Sequence, residues 1–271
     1  MDYKLPKRSE NSNKSTYGRV LNIAGSDYMS GAAYLSSISA LKMGCGYCFL
    51  CSCERVIDSV AAKTSNIVFL PIRDLKKHLL SADVIEFGCG LGQDKYALAL
   101  FNEFIDSADI KKPVIIDADG LNIVSKNSNK FINKKFEKVI FTPHPKEAAR
   151  LLGVDNILED VKFAAKSIAE KYNCVTVLKT HNTYVYSPDG RDYTNNTGNN
   201  SMAKAGSGDV LCGMIAGLCA QGMDMFEASC LGVYLHGLAG DIAKEKLTEY
   251  SVLAEDLISN IPLAVNKYLN S

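Results

Sequence analysis

Apolar residues along this chain fall into short runs separated by stretches in which they recur every three or four positions. Residues 19–25 form the first run, closed by a glycine, and helical spacing follows over 32–43. The alternation repeats. Strands are predicted over 47–53, 67–70, 84–88, 113–117, 138–141 and 174–179, with helices over 54–63, 74–79, 94–107, 148–152 and 157–172 between them. Strands alternating with helices imply a mostly parallel sheet covered on both faces. Near residue 180 the rhythm changes: residues 182–187 and 191–194 flank Pro188, Asp189 and Gly190, a turn signal that predicts an antiparallel hairpin at one side of the sheet. A polar loop over 195–206 then leads to helices over 208–220, 224–246 and 253–268. Gly213 and Gly217, one turn apart, predict a helix that packs closely on a neighbour, and His236 reads as a packed core residue.

No repeat or linker divides the 271 residues, so residues 18–271 read as a single domain; residues 1–17, polar and aperiodic, read as a flexible tail or an arm lying on a neighbour. Lys plus Arg and Asp plus Glu both total 30, which leaves no overall field to draw nucleic acid or an anionic membrane. No apolar run has the length of a membrane span, and residues 1–20 lack a secretory signal's apolar core. A cytoplasmic protein acting on small molecules is expected. Four of the nine cysteines, Cys45, Cys48, Cys51 and Cys53, are spaced closely enough to suggest a metal site. A strand there would put Cys51 and Cys53 on one face and Cys48 and Ser52 on the other, so the sulfurs diverge and read as reduced, packed thiols.

The candidate chemistry centres on Gly206, Ser207, Gly208 and Asp209. A glycine-bearing loop that enters a helix leaves backbone N–H groups near 206–208 without helical acceptors, which suits phosphate. Asp209, in the first turn, is expected to stay ionised because the helix dipole favours the charged form. A charged base beside a phosphate cradle points to phosphoryl transfer to a hydroxyl; the plainer alternative is that Ser207 caps the helix and Asp209 answers its dipole.

The other motifs fall at predicted strand ends, where open α/β sheets bind ligands. Gly88, Gly90 and Gly92 have G-x-G-x-G spacing, which argues against a dinucleotide-binding Rossmann unit and leaves either close backbone approach to a ligand or a tight turn. Asp117 and Asp119 suit a metal or a ribose, or Asp119 caps a helix. His144, between Pro143 and Pro145, is held out of a helix with its ring aimed from the sheet edge, or is structural. Glu147 meets a hydrated magnesium or complements a helix dipole. Lys179 to Thr183, at the hairpin's entrance, offer a cation and small polar groups to a nucleotide.

Taken in order, these residues resemble a known family: Gly25, Ser26, Tyr28, Gly31 and Ala32; Gly88, Gly90, Leu91 and Gly92; Asp117, Ala118, Asp119, Leu121 and Asn122; Thr142, Pro143, His144, Pro145 and Glu147; and Gly206 to Asp209. The chain from about residue 17 onward is similar to the ribokinase-like superfamily, specifically its ADP- or ATP-dependent NAD(P)H-hydrate dehydratases. The resemblance implies a three-layer αβα sandwich with a mostly parallel central sheet and the hairpin at one side. It implies dehydration of NADH hydrate or NADPH hydrate, with ADP or ATP as co-substrate and Mg2+, by phosphorylation of the ring hydroxyl and elimination of phosphate.

By carry-over, Asp209 with Gly206, Ser207 and Gly208 would be catalytic; Ala32, Gly90, Gly92, His144 and Asp209 would line the hydrate site. Lys179, Thr180, His181, Asn182, Thr183 and Gly208 would contact the nucleotide, and Glu147 would meet magnesium through water. Relatives often form tetramers, so a homo-oligomer is expected, with an NAD(P)H-hydrate epimerase as a functional partner. Ala205 stands where relatives usually carry glycine, Cys89 where they carry proline, and Thr180 and His181 where a glycine-containing pair follows the lysine. The first bears on the anion loop, since alanine resists positive φ. Two other readings share these residues: a kinase of the same fold acting on a vitamin-precursor alcohol, and a non-catalytic nucleotide sensor.

Overall fold

The computed structural model of the protein describes residues 3–157 and 159–270. Its sheet begins with parallel strands β1 (Arg19–Ile23), β2 (Tyr47–Ser52), β3 (Val68–Pro71), β4 (Val84–Phe87), β5 (Val114–Ile116), β6 (Val139–Phe141) and β7 (Val175–Leu178). Antiparallel β8 (Tyr184–Tyr186) and β9 (Asp192–Thr194) complete it in the order β3-β2-β1-β4-β5-β6-β7-β8-β9. The expected hairpin closes through Gly190, at φ +93°, whose N–H donates to the Ser187 carbonyl.

Alternate strand residues face opposite layers, as the two-residue period requires. Val20, Val84, Ile115 and Ile140 pack into one core, and Leu21, Ile85, Ile116 and Phe141 into the other. The first core is covered by α1 (Ser30–Lys42), α2 (Glu54–Ala61), α9 (Ser207–Ala220), α10 (Met225–Lys246) and α11 (Ala254–Leu269). The second is covered by α3 (Leu75–Ser81), α4 (Lys95–Ser107), α5 (Asp119–Lys126), α6 (Ser128–Lys134), α7 (Pro145–Leu152) and α8 (Val161–Tyr172). The architecture is the expected three-layer αβα sandwich.

Differences from expectation are local. Helix α5 was anticipated only through the reading of Asp119 as a cap, and α6 not at all, because α6 buries only Phe131 and its polar run carries no helical period. Helix α7 starts at Pro145 rather than at 148: proline takes the first helical position, where its missing N–H costs nothing, and His144 becomes the N-cap. Helix α8 starts at Val161, with the Asp160 side chain accepting from Phe163 N–H at 2.9 Å; the expected start ran back through residue 158, which lies outside the described residues. Cys48 and Cys51 do face opposite cores. Cys53 does not share the face of Cys51, because the strand has ended and its Sγ packs 3.7 Å from Asp27. All nine cysteines are free thiols.

The described part of residues 1–17 lies along the domain's own surface. Tyr3 packs edge-on to Phe226, and the Arg8 guanidinium stacks over Tyr17 at 4.1 Å. Among the described residues no helix is long and apolar enough to cross a membrane.

Two features place the functional loops. The chain runs from β1 outward to β3, then returns to β4 on the other side of β1, so the loops after β1 and β4 leave a topological switch point. They are tied together where Gly25 N–H donates to the Cys89 carbonyl at 2.8 Å. Second, α9 lies directly on α1. A Cβ on Gly213 would fall 2.0 Å from the Ser36 carbonyl oxygen, and one on Gly217 would fall 2.5 Å from that of Ala40. Only glycine permits this approach, which carries the start of α9 to the switch point. Gly213→Ala should force the helices apart and destabilise the protein by roughly 1–3 kcal/mol; an unchanged thermal melt would show that the contact is not that tight.

Candidate active site

Loops from the carboxyl ends of β4, β5, β6 and β7 meet at the first turn of α9. That turn begins at Gly206, whose φ of +91° suits glycine and where a Cβ would lie 2.6 Å from Leu35 Cδ1. Ala205 is not among the residues with positive φ, so alanine at that position leaves the loop unstrained. Of the amides expected to be open, that of Ser207 donates to the Lys204 carbonyl at a long 3.3 Å; those of Gly206, Gly208 and Asp209 have no acceptor among the described residues. Ser207 is not the cap. Gly206 holds the cap position without a side-chain hydrogen bond, and Ser207 Oγ lies 3.4 Å from His236 Nε2.

Asp209 is half-buried, and its ionisation differs from expectation. Burial first, and then the charge of Asp117, push its pKa up to about 6, against the opposing pull of the Cys89 thiol and Lys179. Desolvation outweighs the helix dipole, so the carboxyl is poised near neutrality rather than firmly ionised. Position in a helix turn is visible in a sequence; what covers that turn is not.

Lys179 lies beneath the same turn. Its Nζ is 2.7 Å from Asp117 Oδ1, and a Cβ on Gly208 would be 3.2 Å from that nitrogen. Burial would lower the ammonium's pKa, but the charges of Asp117 and Glu147 and the bond to Asp117 outweigh it and hold it above its ordinary value. Burial pushes Glu147 up to about 7, with Lys179 opposing. Glu147 Oε2 accepts from His144 N–H at 2.8 Å, and Oε1 sits 3.4 Å from His144 Nε2. His144 Nδ1 accepts from Lys146 N–H at 3.0 Å, which assigns the ring proton to Nε2; burial and then Lys179 lower its pKa, so the ring is neutral. His144 is thus held by its own capping box.

The glycine turn is built against the next strand end. Gly88, at φ +123°, lies so close to the 117–120 loop that a Cβ would fall 2.2 Å from the Asp117 carbonyl oxygen. Gly90, at φ +62°, packs on Ala32, and its carbonyl accepts from Ser26 Oγ at 2.9 Å. Gly92 N–H donates to Asp119 Oδ2 at 2.9 Å, and Gln93 Nε2 to Oδ1 at 3.0 Å. Asp119 therefore neither caps α5 nor stands free for a metal; it pins the turn. Ala118 between the two acids has φ +48°, a conformation that favours glycine, and it splits them: Asp117 turns to Lys179, Asp119 to the turn.

A cavity of about 710 Å³ lies in front of this assembly. His144, Lys179, Thr180, His181, Thr183, Ser207 and Gly208 are on its wall. Asn182 is not; its carbonyl accepts from Thr180 Oγ1 at 2.8 Å and tightens the turn. Ala32, Gly90, Gly92 and Asp209 are also off this wall, while His144, expected with them, is on it. His236 is buried, as expected of a core residue, and it also lines the cavity beside Ser207, with burial lowering its pKa to about 4. A signal existed in Gly237, against which Thr197 packs so closely that a Cβ would be 2.2 Å from Thr197 Oγ1. A larger cavity of about 1190 Å³, between residues 3–8 and the end of α1, opens at the opposite edge of the sheet.

The arrangement suits a magnesium ion in donor chemistry, since Mg2+ takes oxygen ligands and keeps several waters, and the site supplies carboxylates. Both Glu147 oxygens already face His144, so this residue would meet the ion through water.

The chain matches the protein family described as NAD(P)H-hydrate dehydratase over residues 20–263. It is 38% identical over 243 residues to an ADP-dependent (S)-NAD(P)H-hydrate dehydratase of Neisseria meningitidis, across 88% of this chain and 81% of that protein. A bifunctional NAD(P)H-hydrate repair enzyme of Moorella thermoacetica is 37% identical across 95% of this chain but 51% of its own length, so the chain spans about half of that relative. The structure of the ADP/ATP-dependent NAD(P)H-hydrate dehydratase of Bacillus subtilis, co-crystallised with ATP and Mg2+, superposes with a TM-score of 0.84 at 32% identity over 97% of this chain and 94% of that one.

The raised pKa of Asp209 has a consequence for stability. A fold that favours the protonated acid gains stability that is full at low pH and is lost as pH rises through about 6. At pH 7 the charge is a cost, so Asp209→Asn should melt higher, by on the order of 1 kcal/mol. A lower melting temperature would show that the carboxylate is compensated in the folded state.

Proposed function

The chain belongs to the NAD(P)H-hydrate dehydratase family, and from that premise we propose that it returns the hydrate of NADH or NADPH to the intact dinucleotide, using ADP or ATP. The observation that carries this reading is Asp209, a half-buried carboxyl with a pKa near 6, at the start of a helix whose first amides are open. A base is most effective when its pKa lies near the working pH.

In this reading Asp209 accepts the proton of the ring hydroxyl as that oxygen attacks the terminal phosphorus, and the bond to the rest of the nucleotide breaks with its electron pair. The amides of Gly206, Gly208 and Asp209 face the charge that develops; one such donor is typically worth ~3 kcal/mol. Ser207, whose amide is engaged, contributes through its place beside His236. The phosphate ester then loses its C–O bond as the ring nitrogen's lone pair moves in, and a proton leaves the neighbouring carbon to restore the dihydropyridine. Ala32, Gly90 and Gly92 receive the hydrate on the Asp209 side. Lys179, Thr180, His181, Thr183 and Gly208 receive the nucleotide in the 710 Å³ cavity, with Asn182 bracing their turn and His144 at the border. Magnesium, when bound, offsets phosphate charge; Glu147 would hold it through water.

The same reading includes a cytoplasmic location, a homo-oligomer and a separate NAD(P)H-hydrate epimerase. The bifunctional name of the relative about twice as long supports the last. A kinase of a vitamin-precursor alcohol is not favoured by relatives named as dehydratases.

Incubation with NADH hydrate, Mg2+ and ADP or ATP should restore the dihydronicotinamide absorbance. The rate should rise with pH through about 6 to a plateau, since the base must lose its proton. Asp209→Asn should remain folded and lose turnover by at least about a thousandfold. A folded Asp209→Asn protein with ordinary turnover would remove this residue from the chemistry.

A further inference from the structure

Behind the glycine turn, β4 carries Glu86, wholly buried and facing the layer that contains α1 and α9. Its register partner on β1 is Asn22, also wholly buried. Glu86 Oε2 and Asn22 Oδ1 are the buried side-chain oxygens without a hydrogen-bond partner among the described residues. An unpaired buried oxygen is costly, and nothing in the dehydration uses Glu86. Two thiols stand beside it, each at 0% exposure: Cys89, between the glycines of the turn, and Cys212, one helical turn beyond Asp209. Sγ of Cys89, Sγ of Cys212 and a Glu86 carboxylate oxygen all lie within 4.8 Å of one another, with Cys89 Sγ 3.6 Å from Glu86 Oε1. Cys89 Sγ also belongs to a second set, lying within 4.8 Å of carboxylate oxygens of Asp117 and Asp209.

We propose that Glu86, Cys89 and Cys212 form a site for a thiophilic divalent cation of the zinc class, set directly behind Asp209, whose occupancy slows turnover. Two thiolates and a carboxylate select a zinc-like ion over magnesium, which prefers oxygen and water. In a tetrahedral zinc site with bonds of about 2.0–2.3 Å the donors stand roughly 3.3–3.8 Å apart. One of the present separations, 3.6 Å, already falls in that range, and the others, at most 4.8 Å, contract on binding. The orphaned oxygen of Glu86 gains a partner, and carboxylate oxygens of Asp117 and Asp209 lie within 4.8 Å of the shared Cys89 Sγ. The ion enters from the half-buried Asp209 side and takes the Cys89 thiol from the base that it now touches. Binding stands without any assumption about Asp209; the effect on turnover rests on its role as the base.

The test is titration of the full chain, in Mg2+, with Co2+ as a spectroscopic stand-in for zinc, reading thiolate-to-cobalt charge-transfer absorption. The band should saturate at one equivalent in the native protein and in Cys53→Ser, the cysteine that is not buried, and should vanish in Cys212→Ser. Glu86→Gln, which keeps both thiols, should bind at least about tenfold more weakly. Zinc should suppress turnover of the native enzyme in step with occupancy and leave Cys212→Ser active. A native protein without the band, or a band that survives Cys212→Ser, overturns the site; if Cys212→Ser does not fold, unchanged affinity in Glu86→Gln overturns it. A saturating band with undiminished turnover overturns the inhibition alone. A band in a protein that never consumes the hydrate overturns the dehydratase reading and leaves the metal site standing.

Discussion

The half-buried ammonium of Lys179 holds the centre of this protein. Lys179 stands beneath the first turn of α9 with Asp117 at 2.7 Å and Glu147 close enough to raise its pKa, while Asp209 completes a ring of acids around it. Burial first, and then the charge of Asp117, make two of these acids hold their protons more tightly, with Lys179 opposing. Asp209 rises to about 6 and Glu147 to about 7. An anionic guest therefore cannot rely on side-chain charge for its welcome. The open amides at the helix start are neutral donors, and they let phosphate approach without adding another charged side chain.

That electrostatic arrangement is held by backbone contacts that tolerate no side chain. Gly213 and Gly217 set α9 on α1, Gly88 sets the β4 loop on the β5 loop, and Gly206 turns the chain into the helix. These contacts place amides and carboxyls on rigid elements, where orientation is not lost to loop motion. The first turn of α9 brings these groups together: Ser207 and Gly208 line the 710 Å³ cavity, and Asp209 follows them within reach of Lys179 on the same wall.

The cluster behind Asp209 belongs to the same logic of crowding. Glu86, Cys89 and Cys212 are brought together because β4, its following turn and α9 converge at the switch point. Whatever occupies that cluster is in contact with the base through Cys89. Core and site are therefore not separable here.

Alternating apolar runs were enough to read nearly every strand, the hairpin at Gly190 and the long helices, because burial on one or both faces imposes a period that composition cannot hide. The motifs at strand ends were legible for the same reason: glycines and acids mark where the chain leaves the sheet. What the sequence could not contain was distance. Asp119 read equally well as a cap or a ligand until Gly92 proved to be its partner, and His236, buried as its pattern implied, gave no sign of its own that Ser207 and the cavity lay beside it. The pKa of Asp209 inverted the expectation drawn from its helix position, because desolvation depends on atoms contributed by β4, β5 and β7, far away in the chain. Periodicity is a local property and survives in one dimension; burial, pairing and charge balance arise only when distant segments share a volume.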